Sequence, residues 1–142
     1  MAAEQSAYGK PLPLMRGYTR EFYDFCKNRE LRFQRCTDCG AWRHTPRPMC
    51  GDCQSLKSEW VKVTGKGKVY TWTVTFQPLY REFKDDVPYA GVIVELDEGP
   101  RIVSWVTGVD PMKLTVNMPV EVYFDDVTPE VTLPKFKAIQ SQ

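Results

Sequence analysis

Four cysteines fall in two CxxC pairs inside an 18-residue window, Cys36 and Cys39 and then, after ten intervening residues, Cys50 and Cys53. Nothing else in the sequence restricts the fold as strongly. A CxxC turn brings two thiolates within reach of one metal ion, and a second turn facing it completes a tetrahedron. Zinc suits four soft ligands, and four protein thiolates leave no position for water, so the expected ion is a single structural zinc that performs no chemistry. Iron in a rubredoxin-like site takes the same ligands, and colour separates the two. A redox dithiol normally uses one CxxC on a βα turn rather than two facing pairs. A ribbon of about 25 residues has too little core to fold alone. Structural zinc, worth on the order of 10 kcal/mol in small peptides, would supply what is missing. His44, the only histidine, lies between the pairs as an alternative ligand that four thiols make unnecessary. No stretch resembles a leader, and no window holds the roughly 18 apolar residues of a spanning helix. The expectation is a cytoplasmic chain whose paired cysteines mean metal, not disulfides.

The remaining chain divides around this window. Residues 1–17 are broken by Gly9, Pro11, Pro13 and Gly17. From Tyr18 to about Leu31 the spacing predicts a helix with Thr19 as cap and Tyr18, Phe22, Phe25, Cys26 and Arg29 on one face. That aromatic face suits either core packing or docking onto a partner. After Trp60 the pattern becomes that of strands. In VYTWTVTF, Tyr70, Trp72, Val74 and Phe76 are expected on one side and Thr71, Thr73 and Thr75 on the other. Further strand-like runs are Tyr89–Leu96, Arg101–Val106, Val120–Phe124 and Lys135–Ile139, with Pro129 and Pro134 in a loop before the last. Five short strands in about 80 residues suit a small closed barrel. The expected architecture is mainly β: an N-terminal segment and docking helix over 1–31, a zinc ribbon over 32–58 and a five-stranded OB-fold barrel over 59–142.

The formal net charge of +1 hides an asymmetry. Residues 1–70 carry 13 Lys or Arg against 7 Asp or Glu, a balance of +6, whereas residues 71–142 carry 6 against 11, a balance of −5. A basic front half suits a phosphate-bearing ligand or an acidic partner, or forms an ordinary solvated face. The long connection Gln77–Val87 carries Leu79, Tyr80 and Phe83, apolar residues suited to a segment that covers a substrate or is ordered by a partner, or else to a flexible loop.

An aromatic helix, then LRFQRCTDCGAWRHTPRPMCGDCQ, EWVKVTGKGKVYTWTV, PYAGVIVELDEGPRIVSWVTGVDP, MPVEVYFDDV and LPKFKA follow one another in an order and spacing that resemble the acyl-CoA-associated zinc-ribbon/OB-fold family. The resemblance covers nearly the whole chain, and Cys36, Cys39, Cys50 and Cys53 match the family's four zinc positions. It implies a non-catalytic companion subunit of a heteromeric complex. The implied partner is a thiolase-like protein, with an aldolase or hydratase as the variants, and the assembly is built on a dimer of that partner. The subunit helps to bind the CoA thioester, a ligand shared with the partner, and completes the partner's active-site cavity. Two features of the residues agree. With the ribbon thiols taken, only Cys26 and His44 remain for acyl-transfer chemistry, which needs a nucleophile, an acid–base group and an oxyanion site. Arg43 and Arg47 in the ribbon loop and Lys66 in the Gly65–Lys68 turn are candidate contacts for CoA phosphates, or else solubilising charges. The competing function is a single-stranded nucleic-acid-binding zinc-ribbon/OB module. Against it, the barrel half is acidic and its strand aromatics are expected to face inward.

Overall fold

The computed structural model describes residues 8–139, so readings that fall on 1–7 and 140–142 lie outside it. The helix forms as α1 (Gly17–Lys27), one turn earlier in its end than the periodicity suggests. Its termination explains the difference. Arg29 takes the left-handed region at φ 63°. The amide of Glu30 then donates to Phe25 O (2.9 Å) and that of Arg29 to Cys26 O (2.9 Å), the paired bonds of a Schellman stop. Glycine usually holds this position; here the Arg29 guanidinium grips the Asp126 carboxylate with two bonds of 2.8 and 2.5 Å. Thr19 does not cap, because the helix begins after Arg16 with no side-chain cap.

Chain reversal at Arg29 delivers Leu31 directly into the first strand. Strands β1 (Leu31–Cys36), β2 (Trp42–Arg43) and β3 (Ser58–Val63) make an antiparallel sheet in the order β2-β1-β3. The strand β4 (Lys66–Thr75) opens a closed barrel with β5 (Tyr89–Leu96), β6 (Arg101–Thr107), β7 (Pro119–Asp126) and β8 (Thr132–Ala138), in the order β4-β5-β6-β8-β7. This is the expected mainly-β arrangement of helix, ribbon and five-stranded OB barrel. Pro134 lies inside β8 rather than in the preceding loop, its carbonyl accepting from Ser104 Oγ at 2.8 Å. Among the described residues no helix is long and apolar enough to cross a membrane.

The expected alternation along β4 is corrected by a bulge. Val69 pairs with Val94 and Thr71 with Ile93, so Tyr70 is an extra residue with no partner on β5. Before the bulge Gly65, Gly67 and Val69 point inward; after it Trp72 and Val74 do. The parity switch leaves Tyr70 outside, 45 % exposed and stacked under the Arg101 guanidinium at 3.8 Å. Phe76, beyond the strand end, is also exposed. The barrel interior is filled by Val69, Val92, Val94, Val120 and Phe136, each fully buried. Phe22 and Cys26 of α1 and Leu31, Phe33 and Val63 of the ribbon belong to the same cluster. The apolar face of the helix is thus covered by its own chain, packing on β1, β7 and β8.

Closure of the barrel rests on Gly67, opposite Leu96: a Cβ there would stand 2.5 Å from the Glu95 carbonyl oxygen and 3.1 Å from Leu96 Cα. Gly67→Ala should therefore lower stability by roughly 1–3 kcal/mol, the cost of forcing backbone apart. Gly91→Ala, where the added carbon meets only Thr73 Oγ1 at 3.8 Å, should change it little. Thermal melts of the two variants compare them directly.

Candidate metal centre

The two cysteine pairs are built as copies of one backbone device. In the first, the Cys36 amide donates to Ala41 O (2.9 Å) and the Gly40 amide to Cys36 O (3.0 Å). In the second, the Cys50 amide donates to Ser55 O (2.9 Å) and the Gln54 amide to Cys50 O (3.1 Å). The fifth residue of each is left-handed, Gly40 at φ 77° and Gln54 at φ 64°. A hydrogen bond from Ser55 Oγ to the Asp38 carboxylate ties one knuckle to the other.

These turns aim four sulfurs at one point. Cys36 Sγ lies 3.6 Å from Cys53 Sγ, Cys39 Sγ 3.6 Å from Cys50 Sγ, and all four lie within 4.8 Å of one another. A tetrahedron of zinc–sulfur bonds of about 2.3 Å has edges of about 3.8 Å, close to the two 3.6 Å separations, so the set suits a single zinc ion. The backbone also favours thiolate. Amides of Cys39 and Asp38 draw Cys36 down to about 6, and those of Cys53 and Asp52 lower Cys50. His44 stands apart from the sulfurs, its ring 5.1 Å from that of Phe22 and 5.0 Å from that of Phe33.

The three candidate CoA residues do not form one cluster. Arg43 is 1 % exposed, and its guanidinium donates to the carbonyls of Arg47 (3.4 Å), Pro48 (3.2 Å), Ser55 (3.4 Å) and Lys57 (3.2 Å). Its two terminal nitrogens are used inside the ribbon, while its buried Nε has no partner among the described residues, so Arg43 is corrected from a ligand contact to an internal brace. Buried Gln34 supports the same loop, accepting from the Arg47 amide at 2.8 Å. Sequence reasoning missed this brace because an arginine between metal knuckles looks like a surface charge. Arg47 is exposed, its guanidinium lying over the bare face of Gly51. Lys66 is exposed at the start of β4, opposite Glu121. The long connection is anchored at one end and open at the other. Phe83 packs against Tyr89 and Trp105, and Asp86 pairs with Lys10 at 2.7 Å. Leu79 and Tyr80 are 84 % and 60 % exposed.

Comparison with known proteins follows this division. Residues 24–59 match the profile described as the ChsH2 rubredoxin-like zinc ribbon domain, and residues 60–125 that of the ChsH2 C-terminal OB-fold domain. A probable enoyl-CoA hydratase alpha subunit of Thermomonospora curvata is 35 % identical over 128 residues, which is 90 % of this chain and 40 % of the relative. The chain thus spans well under half of that protein. A DUF35 domain-containing scaffold protein of Methanothermobacter thermautotrophicus is 36 % identical over 101 residues, 70 % of this chain and 75 % of the relative. Among solved structures, a chain of the "Ltp2-ChsH2(DUF35) aldolase" superposes with a TM-score of 0.79 at 35 % identity, covering 89 % of this chain and 98 % of that one.

Metal analysis of the purified protein should return one zinc per chain, and Cys36→Ser should lose it together with the folded ribbon, because an open three-thiolate site binds far more weakly. A soluble, folded sample with no metal would overturn this assignment. Arg43→Met should cost about 2–4 kcal/mol by leaving buried carbonyls unpaired. The loss should appear in a thermal or denaturant melt and not in affinity for a CoA thioester.

Proposed function

Since this chain belongs to the DUF35 family of zinc-ribbon/OB-fold proteins that includes ChsH2, we propose that it is a non-catalytic subunit of a two-component enzyme acting on acyl-CoA thioesters. The observation that carries the reading is the match along 98 % of a chain from a structure described as the Ltp2-ChsH2(DUF35) aldolase. The relative named as a hydratase alpha subunit supports the same class. The partner is a thiolase-like protein, with aldolase or hydratase chemistry the variants for which those relatives are named. This subunit helps to hold the CoA end of the thioester and completes the partner's cavity.

The state of the two groups left for chemistry supports a non-catalytic role. Burial pushes the Cys26 thiol up to about 12, which leaves it un-ionised at neutral pH and a poor nucleophile. Burial pulls His44 down to about 4, below the range of an efficient general base. For CoA, Arg47 and Lys66 are the proposed phosphate contacts, with Arg43 withdrawn. The open end of the long connection, Leu79 and Tyr80, with Phe76 just before it, is the proposed surface for the partner.

The nucleic-acid reading needs stacking rings open to solvent. On the outer barrel face Tyr89 and Trp105 are stacked on each other, with centroids 4.9 Å apart, and Tyr70 lies under the Arg101 guanidinium, which leaves Phe76 and Tyr80 as the more open rings. Phe83 packs on Tyr89 and Trp105, and Lys10 lies over Trp105. Filter binding separates the readings: salt-sensitive capture of oligonucleotides at sub-micromolar affinity would favour the nucleic-acid module.

The purified chain alone should turn over no acyl-CoA substrate, and activity should appear when the thiolase-like protein is added. Turnover by the isolated chain that survives Cys26→Ala and His44→Ala would defeat the subunit reading. Within the complex, replacing Arg47 and Lys66 by Ala should raise KM for the thioester several-fold, since an exposed charge-assisted phosphate contact is worth at most about 1.5–3 kcal/mol. The turnover number should hold, because contacts equal in ground and transition states act on KM.

A further inference from the structure

Residues 8–16 precede α1 with no helix or strand of their own. Among the described residues, no backbone hydrogen bond ties residues 8–15 to the barrel or to the long connection. One side chain makes the tie instead. Lys10 Nζ lies 2.7 Å from Asp86 Oδ2, and 5.5, 5.5 and 5.9 Å from the ring centroids of Tyr8, Phe83 and Trp105. Ring faces around an ammonium, with a carboxylate beside it, form a cage suited to a cation. The parts of the cage come from three segments: Tyr8 from the strap, Phe83 and Asp86 from the connection Gln77–Val87, and Trp105 from β6.

The connection is held at Phe83 and Asp86, and Lys10 touches both. Phe83 packs on Tyr89 at 5.9 Å and on Trp105 at 6.0 Å. Asp86 Oδ2 is buried, and Lys10 is the one cation that pairs with it among the described residues. Withdrawing the ammonium would leave that carboxylate uncompensated, a larger loss than that of an exposed pair. Lys135 also stands over Trp105, at 5.3 Å, but it pairs with Asp125 within the barrel and does not reach the connection. We infer that Lys10 is the clasp of an intramolecular latch, by which the strap holds the connection closed over the Tyr89–Trp105 face, and that removing its charge opens that face. β5 and β6 are the second and third barrel strands, whose outer side is where OB barrels take ligands, so the closed latch covers that side. The latch operates in the isolated chain, and its failure would leave the subunit reading of the preceding section untouched. Its further effect, fixing the Leu79–Tyr80 end through the Tyr80–Phe83 ring contact, rests on that reading.

Nuclear magnetic resonance of the full, zinc-loaded chain tests the latch without a partner. Ring currents should displace the Lys10 ε-proton resonances well upfield of those of an exposed lysine. The amides of Phe83, Lys84 and Asp86 report on the connection, since they donate to the carbonyls of Tyr80, Arg81 and Phe83 at 3.0, 3.2 and 3.0 Å. Lys10→Met keeps an unbranched stem and removes the charge, so these amides should exchange roughly three- to tenfold faster. Those of Val92 and Val94 in the barrel should stay as slow as before, and the zinc should be retained. Lys10→Arg, which keeps the charge, should restore most of the protection. Asp86→Asn should return the Lys10 resonances toward those of an exposed lysine. Added to Lys10→Met it should speed exchange no further, because the two substitutions act through one contact. Lys10 resonances at the exposed value in the unaltered chain would overturn the proposal. So would unchanged exchange at all three amides in a Lys10→Met protein that keeps its zinc.

Discussion

The outer ribbon has no apolar interior to hold it together. Between residues 37 and 57 only Arg43 and Cys50 are buried. One is a charged side chain spread over four backbone carbonyls, and the other is one of the four clustered thiols. Everything the hydrophobic effect normally supplies must come here from coordination and hydrogen bonds. The two resources suit each other. Four thiolates around a divalent ion carry a net negative charge, and knuckle amides and a nearby guanidinium are the groups that stabilise it. The order of dependence follows: without the sulfurs drawn together, the loop that Arg43 braces has no fixed carbonyls to offer.

The ribbon in turn bears on the rest of the molecule through its inner half. Leu31, Phe33 and Val63 change the character of the sheet from polar to apolar, and they join Phe22 and Cys26 of α1 to the barrel interior in one cluster. β1 ends at Cys36, so the strand that enters the core at Leu31 exits into the metal site five residues later. The helix closes the arrangement from the other side, held to β7 by the Arg29–Asp126 pair. A helix stop, a strand start and an inter-element ion pair thus meet within three residues, Arg29 to Leu31. Loss of metal is expected to loosen this junction before it disturbs the barrel, whose own interior is complete.

The metal ligands and most barrel strands were legible in the sequence because each depends on local spacing. Two-residue gaps between cysteines are enough for a knuckle, and Tyr89–Leu96 alternates without interruption, giving the strand with the predicted ends. The features that escaped depend on contacts far along the chain. LRFQRC reads as polar until β3 pairs along it, from Leu31 opposite Val63 to Cys36 opposite Ser58. The helix stop at Arg29 requires Asp126, which lies 97 residues away. The bulge at Tyr70 carries no glycine to announce it; it reconciles the inward Gly67 and Val69 with the inward Trp72 and Val74. Burial of Arg43 was illegible for the same reason, since its four acceptors are backbone carbonyls and backbone carbonyls leave no mark on sequence.

The charge asymmetry shows how a sum over residues differs from a surface. Of the basic residues in the first half, Lys10, Arg20, Arg29, Arg32, Lys62 and Lys68 stand beside carboxylates. Arg35 lies over the Trp42 ring and Arg43 is internal. Several of the carboxylates that answer them, Asp86, Glu95 and Asp126, come from the acidic second half. The +6 and −5 balances are therefore partly the two sides of the same intramolecular pairs, and the long-range field is weaker than either figure implies. What remains for an external anion is a short set that includes Arg47, Lys57 and Lys66, exposed residues of the ribbon loop and the first barrel strand. Exposed cations of this kind contribute little to folding. On the reading proposed above they would meet a phosphate-bearing ligand, the chemistry their charge suits.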